Sequence, residues 1–156
     1  ASLVWQKLPE VHFVFVGPAV GTSEKIFQAV VDARVHRLGS VSLQDKTDAI
    51  AACDLLCVPS MQESFGGVYT EAWSFAKPVI GGKISAIMDV IEDGVDGYVV
   101  NQEASEIADR ICHLLQHPSQ AQALGRAGQQ KVLENYTWER LGQKTEQVYL
   151  HTLSAN

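Results

Sequence analysis

Five short apolar runs, each stopped by glycine, proline or a turn and each followed by a stretch of helical spacing, constrain this chain more than any other feature. Val11 to Val16 reads VHFVFV and ends at Gly17-Pro18. Such a near-continuous run suits a parallel strand covered on both faces. Val35 to Leu38 ends at Gly39, Leu55 to Val58 is stopped by Pro59-Ser60, and Val79-Ile80 runs out at Gly81-Gly82. The turns Asp93-Gly94 and Asp96-Gly97 lead into a last run, Tyr98 to Val100. Between the runs the spacing is helical. Thr22 and Ser23 are placed to cap a helix with Ile26, Phe27, Val30 and Val31 on one stripe. Asp45 to Cys53 predicts a short helix with Ala49 and Ile50 inward, and Val68 to Phe75 a further one, broken by Lys77-Pro78. From about Ser105 the pattern is helical to the end. Ile107, Ile111, Leu114 and Leu115 form one stripe, closed by Pro118. Ala121, Leu124, Ala127 and Val132 continue on a second helix, and Thr137 caps a third that carries Leu141, Val148 and Leu150. Strands alternating with helices predict an α/β fold with a doubly wound parallel sheet, one domain over residues 1–156. Ligands of such sheets bind beyond the carboxyl ends of the strands. That rule selects the segments Gly17 to Gly21, Pro59 to Gly67, and Gly81 to Met88.

Charge narrows the ligand. The net charge is −6 and the basic residues are scattered. A nucleic-acid surface needs a basic stripe, so that class is excluded. A small phosphate-bearing ligand is compatible, because backbone N–H groups bind phosphate without a basic side chain. No apolar run reaches the roughly 20 residues that span a bilayer. Nor does the start of the sequence show the charged and apolar segments of a secretory leader. Cys53, Cys57 and Cys112 stand among apolar neighbours and form no disulfide framework. They read as buried thiols of a reducing, cytoplasmic compartment.

The stretch Pro59-Ser60-Met61-Gln62-Glu63-Ser64-Phe65-Gly66-Gly67-Val68-Tyr69-Thr70-Glu71-Ala72 carries most of the chemistry. Two glycines stand where a loop turns into a helix, and glycine permits close backbone approach. The first N–H groups of a helix lack intrahelical partners and lie at its positive end, where a diphosphate or sugar hydroxyl fits. With all eight steps helical, Glu63 and Glu71 would lie roughly 12 Å apart, about the span from a sugar ring across a diphosphate to a ribose. The residues alone equally suit a plain strand–loop–helix crossover.

The ordered set of motifs resembles the group 1, family 4 glycosyltransferases of GT-B fold. Glu63 and Glu71, with Phe65-Gly66 between them and Ala72 after, resemble the family's E-x7-E signature. Val11 to Gly17 looks like its strand ending in V-G, and Val35 to Val41 resembles its V-x-x-L-G-x-V segment. Ala51-Ala52-Cys53-Asp54 through Pro59-Ser60, Lys77-Pro78-Val79-Ile80 and Val90 to Val100 resemble further motifs in the same order. The resemblance implies a Rossmann-like C-terminal GT-B domain that binds a UDP-, GDP- or ADP-linked sugar, with no metal and no cofactor. It implies that Glu63 faces the donor sugar as the catalytic group. Ser64, Phe65, Gly66, Gly67 and Val68 would line the sugar and diphosphate, and Glu71 would accept from the ribose hydroxyls. Leu38, Gly39 and Val41 would line the base. Gly17 would belong to a donor-site loop or to a bare turn.

Departures from the family pattern matter too. The family's Gly-Gly-x-Pro-Glu loop has as its counterpart Ser85-Ala86-Ile87-Met88-Asp89, without those glycines or proline, and Ala76 stands where glycine often precedes Lys-Pro. The family's first strand, with an Arg and a Lys that clamp the diphosphate, has no counterpart before Val11, and Ala1 to Leu8 resembles the helix that follows it. The expectation is therefore a fragment of a longer enzyme that lacks its first strand and its acceptor domain. By itself it is expected to transfer no sugar, and any membrane association would come through the missing half.

Other readings fit less well. A retaining glycosidase pair needs carboxyl groups about 5 Å apart, which this spacing does not favour. His113 and His117 are spaced for a metal but have no third ligand in register, and suit the end of a helix instead. Gly17-Pro18-Ala19-Val20-Gly21 is not a dinucleotide fingerprint. Trp73 and Trp138 read as packing residues. An epimerase on the same architecture and a non-catalytic Rossmann-like module remain alternatives. In the family the last helix crosses to the other domain, so its apolar face is expected to be exposed here.

Overall fold

The computed structural model of the protein describes residues 1–18 and 20–154; the expected caps Thr22 and Ser23 fall on side chains outside that description. Strands and helices alternate as β1 (Phe13–Val16), α2 (Thr22–Gln28), β2 (Val35–Gly39), α3 (Leu43–Ala52), β3 (Leu56–Val58), α4 (Gly67–Ser74), β4 (Val79–Gly82), α5 (Ser85–Met88) and β5 (Tyr98–Val100). A short α1 (Ser2–Trp5) precedes them, and α6 (Ala104–Gln116), α7 (Pro118–Asn135) and α8 (Trp138–Ser154) follow. Every strand pairing is parallel. The pairings fall into two groups, β1–β2 and β3–β4–β5, and among the described residues no ladder joins them.

The three-stranded sheet is covered on both faces, which its sequence dictates. Successive side chains of a strand point to opposite faces. Thus Val79 packs with Ile50, Tyr69, Ala72, Trp73, Ile87 and Ile91, while its neighbour Ile80 packs with Val4, Tyr98, Ile111, Leu114 and Leu124. All four residues of β4 are buried. The helical stripe of α6 supplies the second cluster, with Ile111 and Leu114 buried and Ile107 and Leu115 half-buried.

Helix α7 lies against α4 through two glycines. At Gly128 a Cβ would overlap the Trp73 ring, and at Gly125 it would overlap the Ala76 carbonyl, so only glycine admits this approach. Trp73 is fully buried, and its Nε1 donates to the Asp96 carbonyl at 2.9 Å. Asp96, read from sequence as a turn residue, is 1% exposed. Its carboxylate accepts from the Glu92 N–H and is paired with the Lys131 ammonium from α7. The buried charge is therefore both hydrogen-bonded and compensated. Helix α4 ends at Ser74 with Phe75 as its cap, and Ala76 just beyond is left-handed at φ +53°. The N–H of Ala76 returns to Trp73 O and that of Lys77 to Ala72 O, a Schellman closure.

The first α/β unit departs from expectation. Val14, Phe15 and Val16 of β1 are 54%, 42% and 40% exposed, so the run is not covered on both faces. The stripe expected on α2 does not form as one buried face: Ile26 is 61% exposed, and the helix closes at Gln28, leaving Val30 and Val31 beyond it at 41% and 96%. Both follow from a two-stranded ribbon that, among the described residues, no layer covers on both sides; Phe27 meets Phe15 edge to face at 4.8 Å, with the Arg37 guanidinium over its ring. The helix expected over Ala1 to Leu8 closes after Trp5. Part of the Gly81 to Met88 loop is instead the helix α5, which drives Ile87 into the core. Cys53 and Cys57 are half-buried rather than buried, because α3 ends at Ala52 and β3 holds an edge of its sheet. Trp138, read from sequence as a packing residue, is instead 87% exposed, while the absence of any buried residue on α8 matches the exposed apolar face expected there.

Candidate functional site

The site begins where β3 stops. Pro59 ends the ladder, and the chain bends through Glu63 and Ser64 to Gly66, the N-cap of α4. Gly66 is left-handed at φ +74°, and a Cβ there would fall 2.5 Å from the Tyr69 ring and 3.0 Å from Ile87. Tyr69 is the post on which the loop turns. Its hydroxyl donates to the Val58 carbonyl at 2.6 Å, while its N–H returns to Gly66 O at 2.9 Å. The helix starts only at Gly67, so the Glu63-to-Gly66 steps are not helical, and the spacing read for a continuous helix does not apply.

This geometry leaves donors free. Among the described residues, no carbonyl or side chain takes the N–H groups of Phe65, Gly66, Gly67 or Val68. Gly67 faces open space: a Cβ there would meet nothing within 4 Å. Glu63 is half-buried, with Oε1 accepting from the Ser64 N–H at 3.1 Å. Phe65 is 42% exposed and rests edge-on against Tyr136 at 5.5 Å. Sequence reading missed Tyr69 and Tyr136, because each matters through a partner distant in the chain.

The second expected segment follows β2. Gly39 is left-handed at φ +67°, and its carbonyl accepts from the Gly17 N–H at 2.9 Å, which draws the ends of β1 and β2 together. Leu38 is 49% exposed and Val41 half-buried. Ser42, also missed from sequence, caps α3 by accepting from the Asp45 N–H at 3.1 Å. From α3, Lys46 Nζ reaches Glu71 Oε1 on α4 at 2.7 Å. The pair ties α3, which follows the Leu38–Val41 segment, to α4, which follows the glutamate loop. His113 and His117 stack at 4.4 Å, and His117 Nδ1 donates to the His113 carbonyl, which closes the helix end as expected. No group of three metal-ligating side chains occurs among the described residues.

Burial pushes the Tyr69 hydroxyl up to about 12, with the Glu63 charge adding to the effect, and burial pushes the Cys57 thiol to about 12 as well. Unfolded, these groups ionise near about 10 and 8.5. Between those values and 12 the unfolded chain loses protons that the folded chain keeps. Their contribution to stability is therefore full below about pH 8 and declines toward pH 12. The urea midpoint should fall across that window, and Tyr69→Phe should flatten the part above about pH 10. A midpoint constant from pH 8.5 to 11.5 would contradict the assignment.

Parallel strands under two layers of helices, with a glycine loop opening a helix at the carboxyl end of β3, define an α/β domain of Rossmann-like, GT-B type. The sequence model described as "Glycosyl transferases group 1" matches residues 1–117, and the chain belongs to that family. The alpha-maltose-1-phosphate synthase of Mycobacterium tuberculosis is 25% identical over 90% of this chain and 40% of its own length. Among solved structures, Anabaena HepE in complex with UDP superposes with a TM-score of 0.85 at 25% identity, over 99% of this chain and 44% of that one. The C-terminal domain of a group 1 glycosyl transferase, LpcC of Francisella tularensis, gives 0.74 at 24% identity, over 87% of this chain and 75% of that one. The chain thus spans about two-fifths of the length of the curated relative. No described helix is long and apolar enough to cross a membrane.

Proposed function

We propose that this chain is the donor-binding domain of a retaining glycosyltransferase, moving a hexosyl group from a nucleoside diphosphate to a hydroxyl acceptor. The observation that carries the reading is the row of four unpaired amides, Phe65 to Val68, flanked by Glu63 and Glu71. Unpaired N–H groups at a helix start stabilise phosphate and sugar oxygens. Glu63 stands in the loop ahead of these amides, and a carboxylate facing the donor sugar offsets the positive charge that develops as the glycosidic bond breaks. Glu71 accepts from the ribose, and Leu38, Gly39 and Val41 line the base, with Gly17 held against Gly39. Amides and basic side chains carry the diphosphate charge in this reading, with no metal or cofactor. The HepE complex with UDP supports a nucleotide ligand for the fold and makes UDP the first candidate, ahead of GDP and ADP.

The acceptor site belongs, in this reading, to another domain of a longer protein, as does any membrane contact. The domain alone should then bind donor without transferring sugar. Its three free cysteines suit the cytoplasm. Amide chemical-shift mapping with UDP, GDP and ADP, and NAD as control, tests the assignment. Shifts should centre on Phe65 to Glu71 and on Leu38 to Val41, and Glu71→Ala should weaken the response about tenfold, the cost of a charge-assisted hydrogen bond. Silence from all three nucleotides, or shifts confined to other surfaces, would remove the reading.

A further inference from the structure

We infer that Lys46 is a positioning and specificity residue of the donor site: by holding Glu71 it sets the preference for an intact ribose. The inference rests on the donor-site reading above. Lys46 contacts Glu71 Oε1 at 2.7 Å, and among the described residues no other cation pairs with Glu63 or Glu71. The other carboxylate oxygen, Glu71 Oε2, is shielded from solvent and has no hydrogen-bond partner. A lone acceptor of that kind is costly, and a donor that reaches it is correspondingly favoured. A ribose hydroxyl supplies one, because the terminal torsion of glutamate is soft and turning the carboxylate outward about the Lys46 contact takes little energy.

The direction of Lys46 is fixed in turn by the start of α3. Its N–H returns to the Ser42 carbonyl at 3.0 Å, and the Ser42 side chain caps the same turn. Ser42 directly follows Val41, the end of the segment assigned to the base. One short path therefore runs from the base-lining segment through Lys46 to the ribose acceptor. Charge supports the same role. A nucleoside diphosphate is anionic, and a bare Glu71 would repel it; the adjacent ammonium offsets that repulsion. As a half-exposed ion pair, at 36% and 42%, Lys46–Glu71 adds little to folding, so its effect appears when ligand is bound.

The test compares whichever of UDP, GDP or ADP binds the full-length protein best with the 2′,3′-dideoxy form of the same nucleotide, by calorimetry. The original protein should prefer the ribonucleotide by about tenfold or more, the scale of one charge-assisted hydrogen bond. Lys46→Met keeps the length and helix propensity of the side chain, and should bring the preference to within about threefold. Lys46→Arg should restore it and also controls for folding, since it retains the cation. A Lys46→Met protein that keeps the full ribose preference overturns the inference and leaves the donor site standing. An original protein that binds nucleotide with no ribose preference overturns it through Glu71. An original protein that binds none of the three nucleotides removes the donor-site reading itself.

Discussion

A protein carrying Gly67→Ala should melt no lower than the original and bind its nucleoside diphosphate at least about tenfold more weakly, a change on the order of 1.4 kcal/mol. The two halves of this result have separate causes. Gly67 is the first residue of α4, its backbone is not left-handed, and a Cβ placed on it meets nothing within 4 Å. Alanine there disturbs no contact, restricts the unfolded chain and favours the helix, so stability holds or rises by up to about 1 kcal/mol. Nothing inside the protein requires glycine at this position. A ligand does, if its phosphate or sugar oxygens are to come within hydrogen-bond distance of the amides on either side. The neighbouring glycine supplies the contrast. Gly66→Ala strains a left-handed backbone and drives a methyl group into Tyr69, so it should damage folding and binding together. Thermal melts and calorimetry on both variants decide the matter. Undiminished affinity in Gly67→Ala would mean that the open face of the loop is not where the donor lies.

Trp73→Ala should lower folding stability by about 4 kcal/mol, within the range for removing a large aromatic from a core. Trp73 is fully buried and fills the groove that Gly128 leaves on α7. Alanine would empty that groove and strand the Asp96 carbonyl that the indole N–H now satisfies. It would also loosen the seat of Lys131, whose ammonium lies 5.5 Å from the ring centre and pairs with buried Asp96. Against a total of about 5–15 kcal/mol for an ordinary domain, the loss is a large share. Urea unfolding measures it directly, and a loss under about 1 kcal/mol would show that α7 does not depend on this packing.

What the sequence revealed, and what it hid, divides along the range of the interactions. The unit β3–α4–β4 was legible because its signals are local: an apolar run, two glycines, a helical stripe and Lys77-Pro78. The glutamate loop was legible for the same reason. The outward placement of Ile26 was not, because a stripe tells which residues share a face and not whether a layer covers that face. Asp96 followed by Gly97 looks like any turn until Lys131 arrives from α7. Gly125 and Gly128 look like weak points in a helix until Trp73 and Ala76 are set against them. Lys46 meets Glu71 across 25 residues and two helices, and no spacing rule within one element finds such a pair.

Tyr69 gives the loop a property of a different kind. Its hydroxyl holds the last residue of β3, its ring stands behind Gly66, and its oxygen would lie 3.3 Å from a Cβ at Gly81 in β4. One rigid side chain thus gauges the distance between the sheet and the mouth of the helix. A displacement of either strand is copied into the amides of Phe65 to Val68 with little loss, since the ring cannot bend. The shape of the loop is in this sense dictated from behind, and its tolerance for change is that of the core rather than that of a surface.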